Sequence, residues 1–340
     1  MVDEAQIRES LEGVLVPGPM RSLAQMNLIR AVEVSDQKAK VSLFSAALGE
    51  STREWVRDKV EQAVRELPDV KEVETDFVAT KPAEVNQVKH VVAVMSGKGG
   101  VGKSLVSCLL GLALARQGLE VGILDADITG PSIPRMFGIN VRPMGGEGGI
   151  MPVSSKTGIE VMSINLLLPN EDDAVIWRGP LIGRAITQFW EEVLWGRLDY
   201  LIVDLPPGTA DAPLTVLQSL PVSGVVIVFS PQELAAMVVR KAVQMCQKMS
   251  IPIIGVIENM SYLLLPEDGR RLEIFGSSKA QEMAMASGAP LLGQLPIEPE
   301  LARLCDAGDI ERYDSPLVTD FGRSFVEAIA TRGKQKQPTT

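Results

Sequence analysis

The residues best equipped for chemistry are the consecutive run Gly97-Lys98-Gly99-Gly100-Val101-Gly102-Lys103-Ser104, which directly follows the apolar stretch Val91–Met95 and opens a helical one. Its spacing is G-x-x-x-x-G-K-S in a strand-loop-helix context. Glycines at these steps let successive backbone N–H groups converge on a phosphate, and the dipole of the helix that follows favours the same negative charge. Lys103 then reaches the β- and γ-oxygens of a nucleotide, and the Ser104 hydroxyl can ligate Mg²⁺. Lys98 is an extra cation that phosphate binding within one chain does not need. It can neutralise transition-state charge across a dimer interface, as an arginine finger does, or it can be an ordinary solvated lysine.

Carboxylates at two further strand ends fit the same chemistry. Asp125 closes the run Val121–Leu124 and would face the magnesium shell, while Asp127, at the head of the loop Ile128-Thr129-Gly130-Pro131-Ser132, could orient an attacking water. Asp204 closes Tyr200–Val203, the placement that holds Mg²⁺ through water, and Gly208 in Pro206-Pro207-Gly208-Thr209 offers a backbone N–H near the γ-phosphate. A lone acid after a strand is often a cap or a surface group; three acids at consistent places argue for a shared site.

These groups need a scaffold that gathers strand ends. Short unbroken apolar runs, Val91–Met95, Val121–Leu124, Tyr200–Val203, Val225–Phe229 and Ile253–Ile257, alternate with helical stretches such as Leu105–Gln117 and Leu234–Met249. Strands buried on both faces and joined by crossover helices have this texture. The expectation is an α/β, doubly wound, mostly parallel sheet over residues 90–330, with its ligand at the carboxyl ends of the strands. Residues 1–80 read instead as a small α+β domain. Leu28–Val34 and Lys40–Ser45 are strand-like runs around the turn Ser35-Asp36-Gln37-Lys38, and a helix carries Trp55, Val56, Val60, Ala63, Val64 and Leu67 behind a cap at Ser51 or Thr52. Val70–Val78 is a third strand, residues 81–89 a linker, and 331–340 a disordered tail.

Composition narrows the function classes. The chain has 340 residues, 46% hydrophobic and 22% charged, which suits about two soluble domains. Three cysteines (Cys108, Cys246, Cys305) without a C-x-x-C pair, and a single histidine (His90), exclude a disulfide scaffold, a zinc ribbon and a histidine-based triad. A net charge of −10 opposes attraction to nucleic acid or anionic lipid, so neither nucleic acid nor stable membrane association is expected. Met1–Ser10 lacks a signal peptide's apolar core, and Leu105–Ala115 falls far short of the roughly 20 residues a membrane span needs. A cytoplasmic location follows, in a compartment that keeps thiols reduced.

The run Gly97–Ser104 resembles the deviant Walker A motif of the MinD/ParA/nitrogenase-reductase class of P-loop NTPases. Within that class, Asp125-Ala126-Asp127-Ile128-Thr129-Gly130-Pro131-Ser132-Ile133-Pro134, Asp204-Leu205-Pro206-Pro207-Gly208-Thr209 and Glu258-Asn259-Met260-Ser261-Tyr262 resemble the Mrp/ApbC family of iron–sulfur cluster carrier ATPases over about residues 88–325. The resemblance implies an ATP- and Mg²⁺-dependent homodimer with Lys98 acting in trans, Asp127 near the hydrolytic water and Asn259 reading adenine, together with iron–sulfur apoproteins and assembly factors as partners. An amide such as that of Asn259 can pair with both a donor and an acceptor on the adenine edge; it could equally be a turn residue. Residues 1–80 resemble the small domain often fused to this family.

Two departures stand out. The small domain usually carries a cysteine-proline step where this chain has Ala46-Ala47-Leu48, and the family's C-x-x-C after E-N-M-S-Y is replaced by Leu265 and Asp268. A [4Fe–4S] cluster, usually bound by four thiolates, is possible by family, but its ligands are not found. Cys108, Cys246 and Cys305 read as structural, with Cys305 the most plausible exposed thiol. Competing readings are a partner ATPase that holds no cluster itself and a MinD/ParA-like positioning ATPase. The stripe Phe321, Phe325, Val326 and Ile329 before Arg332 suits either a membrane-surface helix or a helix docked on the domain. A nitrogenase-reductase-like electron donor lacks the thiolate pair it needs, and a non-hydrolysing ATP switch stays open.

Overall fold

The computed structural model describes residues 2–35, 37–127, 130, 132–146, 148–168, 179–232, 234–265 and 268–335. In the first stretch, alternating apolar residues build a three-stranded sheet: β1 (Ile29–Ser35) runs antiparallel to β2 (Lys38–Phe44), which pairs in parallel with β3 (Glu72–Val78). The crossover between β2 and β3 is helix α1 (Glu50–Arg65), whose Val56, Val60 and Val64 recur at helical spacing and are buried. Gly49 rather than Ser51 or Thr52 is the N-cap, in an extended conformation. The helix starts earlier than expected, which places both hydroxyl residues inside its first turn.

The chain divides into two compact units, and not at a single point. The first comprises Met1–Lys89, Val141–Ser154 and Thr187–Leu198; the second holds the rest. The extra segments belong to the first unit because Met151 and Leu194 join its hydrophobic core with Ile7, Leu11, Leu43 and Val60. Arg21, nearly buried, donates to the carbonyls of Trp195 (2.9 Å) and Arg197 (3.0 Å), and the Asn86 amide donates to that of Val193 (2.9 Å). Nor is 81–89 a loose spacer. Pro82–Val85 forms a helical turn, Val85 is buried, and its carbonyl accepts from Asn27 Nδ2 at 2.6 Å.

The second unit is built on one sheet. Its strands are β4 (Gln87–Ser96), β5 (Val121–Asp125), β6 (Glu160–Ser163), β7 (Arg197–Asp204), β8 (Gly224–Phe229), β9 (Ile253–Glu258) and, beyond a small antiparallel hairpin of β10 (Leu263–Leu264) with β11 (Arg271–Leu272), β12 (Leu291–Gln294). Among these strands the order across the sheet is β6-β5-β7-β4-β8-β9-β12. The pairs β6/β5, β5/β7, β4/β8, β8/β9 and β9/β12 are parallel. The doubly wound α/β reading therefore holds, with β6 and β12 as strands that sequence texture did not mark. From β4 the chain crosses outward to β5 on one side and later returns to β8 on the other, so the carboxyl end of β4 is the point where strand order reverses, the position at which open α/β sheets generally take their ligands.

Helix α2 (Lys103–Ala115) follows β4 and is buried along most of its length. The C-terminal helix α4 (Pro316–Gln335) extends into the span expected to be a tail, while 336–340 lie outside the described residues; helix α3 (Leu234–Lys248) links β8 and β9. Among the described residues no helix is long and apolar enough to cross a membrane.

Candidate nucleotide site

Strand register decides which side chains meet at the crevice. Asp125 ends β5 opposite both Asp204 of β7 and Ser163 of β6, so parallel pairing puts the two acids at one level beside the loop that leaves β4. Within that loop Gly100 and Gly102 have φ of +80° and +78°, a left-handed conformation that costs other L-residues energy. Gly102 has a second constraint: a Cβ there would lie 2.2 Å from Asn259 Nδ2. The loop thus needs glycine for conformation and for close approach alike.

Lys103, the first residue of α2, points its ammonium between two carboxylates, 2.6 Å from Asp204 Oδ2 and 4.0 Å from Asp127 Oδ2. Asp204 is wholly buried and also accepts from Ser104 Oγ (2.5 Å) and Ser107 Oγ (2.7 Å). Ser107 was not foreseen, although its place three residues after Ser104 on a helix puts the two on one face. Asp125 accepts from the Asp127 N–H (3.2 Å), the Ile133 N–H (3.3 Å) and Ser163 Oγ (3.3 Å). Burial first, and then the charge of Asp204, push its carboxyl up to about 8. Lys103, Ser104, Asp125, Asp127 and Asp204 thus lie together around the ends of β5 and β7 and the start of α2. Ile128, Thr129 and Pro131 of the adjoining loop lie outside the described residues.

These groups fit a phosphate chain with a hard cation. A glycine-rich loop of N–H groups precedes a helix N-terminus, one lysine already pairs with carboxylates, and a serine hydroxyl stands beside a buried acid, an oxygen donor set that suits Mg²⁺. No group of three or more histidine, cysteine, aspartate and glutamate side chains among the described residues is placed to hold a metal ion. The cation would rest on one hydroxyl, nearby carboxylates and water.

Three residues are engaged otherwise than expected. Lys98 Nζ donates within its own chain to Gln232 Oε1; Gln232 lies just after β8, where a strand-end rule could have flagged it. The Gly208 N–H, expected to face the γ-phosphate, donates to the Ser96 carbonyl at 2.9 Å, because the segment after β7 continues alongside β4. Asn259, expected to read adenine, is 2% exposed and gives an N–H to the Val101 carbonyl at 2.9 Å, so its amide clamps the phosphate loop.

The three cysteines form no disulfide and no group of three or more metal-ligating side chains among the described residues, although Cys305 lies near enough to Cys108 to raise its thiol further on top of burial. Cys108 and Cys246 are buried and Cys305 is half-buried. Burial pushes the Cys246 thiol up to about 11, and burial with the Asp306 charge does the same for Cys305. Leu265 stands in the hairpin turn, where its N–H donates to the Arg270 carbonyl and its carbonyl accepts from Gly269; Asp268 accepts from the Arg270 N–H. In the small domain Ala46, Ala47 and Leu48 are all buried core residues. The described residues therefore provide no thiolate set for a cluster. The apolar stripe of α4 is likewise accounted for: Phe321 and Phe325 are buried, and Phe325 meets the Tyr200 ring edge-on at 5.6 Å. The docked-helix reading is the one realised.

Comparison with known proteins agrees with this geometry. Residues 87–329 match the NUBPL iron-transfer P-loop NTPase family, and residues 4–75 match an iron–sulfur cluster assembly protein family. An iron–sulfur cluster carrier protein of Aquifex aeolicus is 38% identical over 94% of this chain and 94% of its own length. A nucleotide-binding protein from Archaeoglobus fulgidus, solved in complex with ADP, is 44% identical, with a TM-score of 0.61 over 67% of this chain and 90% of that one. A chain of a MinC:MinD cell division protein complex from Aquifex aeolicus aligns with a TM-score of 0.51 at 18% identity over 74% of this chain and 98% of that one, a likeness of fold alone.

Proposed function

The chain belongs to the NUBPL iron-transfer P-loop NTPase family, and from that premise we propose that it is a Mg²⁺-dependent ATPase of iron–sulfur cluster assembly, acting as a homodimer in cluster binding or transfer to apoproteins. The observation that carries the ATPase reading is Lys103 held between Asp204 and Asp127 at the mouth of the glycine loop. The loop N–H groups of residues 97–104 orient the phosphates, and Lys103 turns from its carboxylates toward the β- and γ-oxygens. Ser104, backed by Asp204, with Asp125 nearby, would hold Mg²⁺. When bound, the metal ion would supply charge neutralisation on the transferred phosphoryl group. Asp127 orients the attacking water, and Lys98, once released from Gln232, adds positive charge from the partner subunit. The Gly208 N–H reaches the γ-phosphate only after leaving Ser96, and Asn259 can offer adenine only the part of its amide not spent on Val101.

A second reading, that the chain drives transfer while another protein holds the cluster, is favoured by the burial of Cys108 and Cys246 and by Leu265 and Asp268 in the hairpin. One experiment separates the two. The protein is reconstituted anaerobically with iron and sulfide, its visible spectrum recorded and its ATP turnover measured in the same preparation. Turnover without a chromophore supports the second reading, a stoichiometric chromophore supports cluster binding by this chain, and no turnover at any Mg²⁺ concentration overturns the ATPase assignment.

A further inference from the structure

Glu258, the last residue of β9, is 0% exposed and has no lysine or arginine partner in the ion pairs of the described residues. Four groups donate to its carboxyl. Oε2 receives Ser261 Oγ (2.6 Å), Ser278 Oγ (2.7 Å) and Gln294 Nε2 (2.9 Å), and Oε1 receives the Lys279 N–H (2.7 Å). Gln294 faces Glu258 across the β9/β12 register, and the two hydrogens of its amide nitrogen are shared among Glu258, Ser261 and Ser278, the last two lying 3.0 and 2.8 Å away. Burying a carboxyl group is costly unless its oxygens are satisfied, and here three separate segments supply the donors. A network so assembled fixes its members collectively.

The place of this network gives it a consequence at the nucleotide loop. Asn259 is the next residue, and its amide reaches Val101 and fills the space that a Cβ on Gly102 would occupy. On the other side the same network fixes the turn leading into the β10/β11 hairpin: the Ser261 N–H donates to Leu295, and the Ile297 N–H donates to Tyr262. We propose that Glu258 is a positioning residue for the nucleotide site, holding the strand-end turn so that Asn259 clamps the phosphate loop and the hairpin keeps a fixed base. The nucleotide half of this inference rests on the function proposed above; the clamp itself rests on the contacts alone.

The test uses the full chain in three forms: wild type, Glu258→Gln, and the exchange Glu258→Gln/Gln294→Glu, which returns an amide–carboxylate pair to the two neighbouring strands. ATP affinity is measured by calorimetry, and amide hydrogen exchange is followed without nucleotide. Loss of a charge-assisted contact of this kind should weaken ATP about tenfold in Glu258→Gln. Exchange should quicken in residues 101–104 and also in 263–265 and 268–272, and the double variant should recover most of the affinity. Ser278→Ala, which removes a donor from outside, serves the same purpose if Glu258→Gln does not fold. Unchanged exchange in the loop, or a double variant that melts like wild type yet stays as weak as the single, overturns the positioning role. A wild-type chain that binds no ATP overturns the nucleotide reading instead, while the exchange data still decide the clamp.

Discussion

Lys103 and Lys98 are chemically alike and differ in what surrounds them. Lys103 is nearly buried and held by Asp204 and Asp127, so its charge is fixed at the end of the glycine loop. Replacing it by alanine removes the cation from a buried acid and from the ligand at once. Lys103→Ala is expected to abolish nucleotide binding in an equilibrium titration. Under the proposed function Lys98 and Asp127 would act on the reaction rather than on the bound ground state, so Lys98→Ala and Asp127→Ala should keep ATP affinity within a few-fold and lose about a hundredfold or more in turnover. Normal hydrolysis by Lys98→Ala would remove that lysine from the mechanism. The motif residues were legible because eight contiguous positions encode one loop. The Gln232 contact was not, because it joins residues 134 apart in sequence.

At the scale of elements, the sheet was legible where strands are continuous apolar runs and illegible where they are short and mixed, as in β6 (Glu160-Val161-Met162-Ser163) and β12 (Leu291-Leu292-Gly293-Gln294). These two gain their strand character from a neighbour, β5 for one and β9 for the other. The contact between α4 and α2 shows the same dependence. A Cβ on Gly322 would lie 2.7 Å from Ala113 Cβ and 2.9 Å from Gln117 Nε2. Gly→Ala within a helix ordinarily gains about 1 kcal/mol of helix propensity, whereas overpacking a close contact costs about 1–3 kcal/mol. The second effect should win, so Gly322→Ala is expected to lower the urea midpoint and leave ATP affinity unchanged. A raised midpoint would mean that the helices can part without loss.

For the whole molecule, the division into units has a measurable consequence. A chain begun at Gln87 keeps every nucleotide residue but leaves Met151 and Leu194 without the core of the first unit, at about 1.5–3 kcal/mol for each buried side chain. Such a fragment is expected to bind an apolar dye and to melt below the full chain. A melt equal to that of the full chain would show that the recruited segments add no stability. The phosphate loop, the acids at the strand ends, the α/β class and the lack of a cysteine pair could be read before folding, since each is written in adjacent residues or in a count. Tertiary structure alone decided that Lys98 pairs with Gln232, that Asn259 clamps the loop, that Glu258 gathers three segments, and that the first unit is built from three pieces of chain. These depend on strand register and on packing between distant segments, and local spacing carries no information about either.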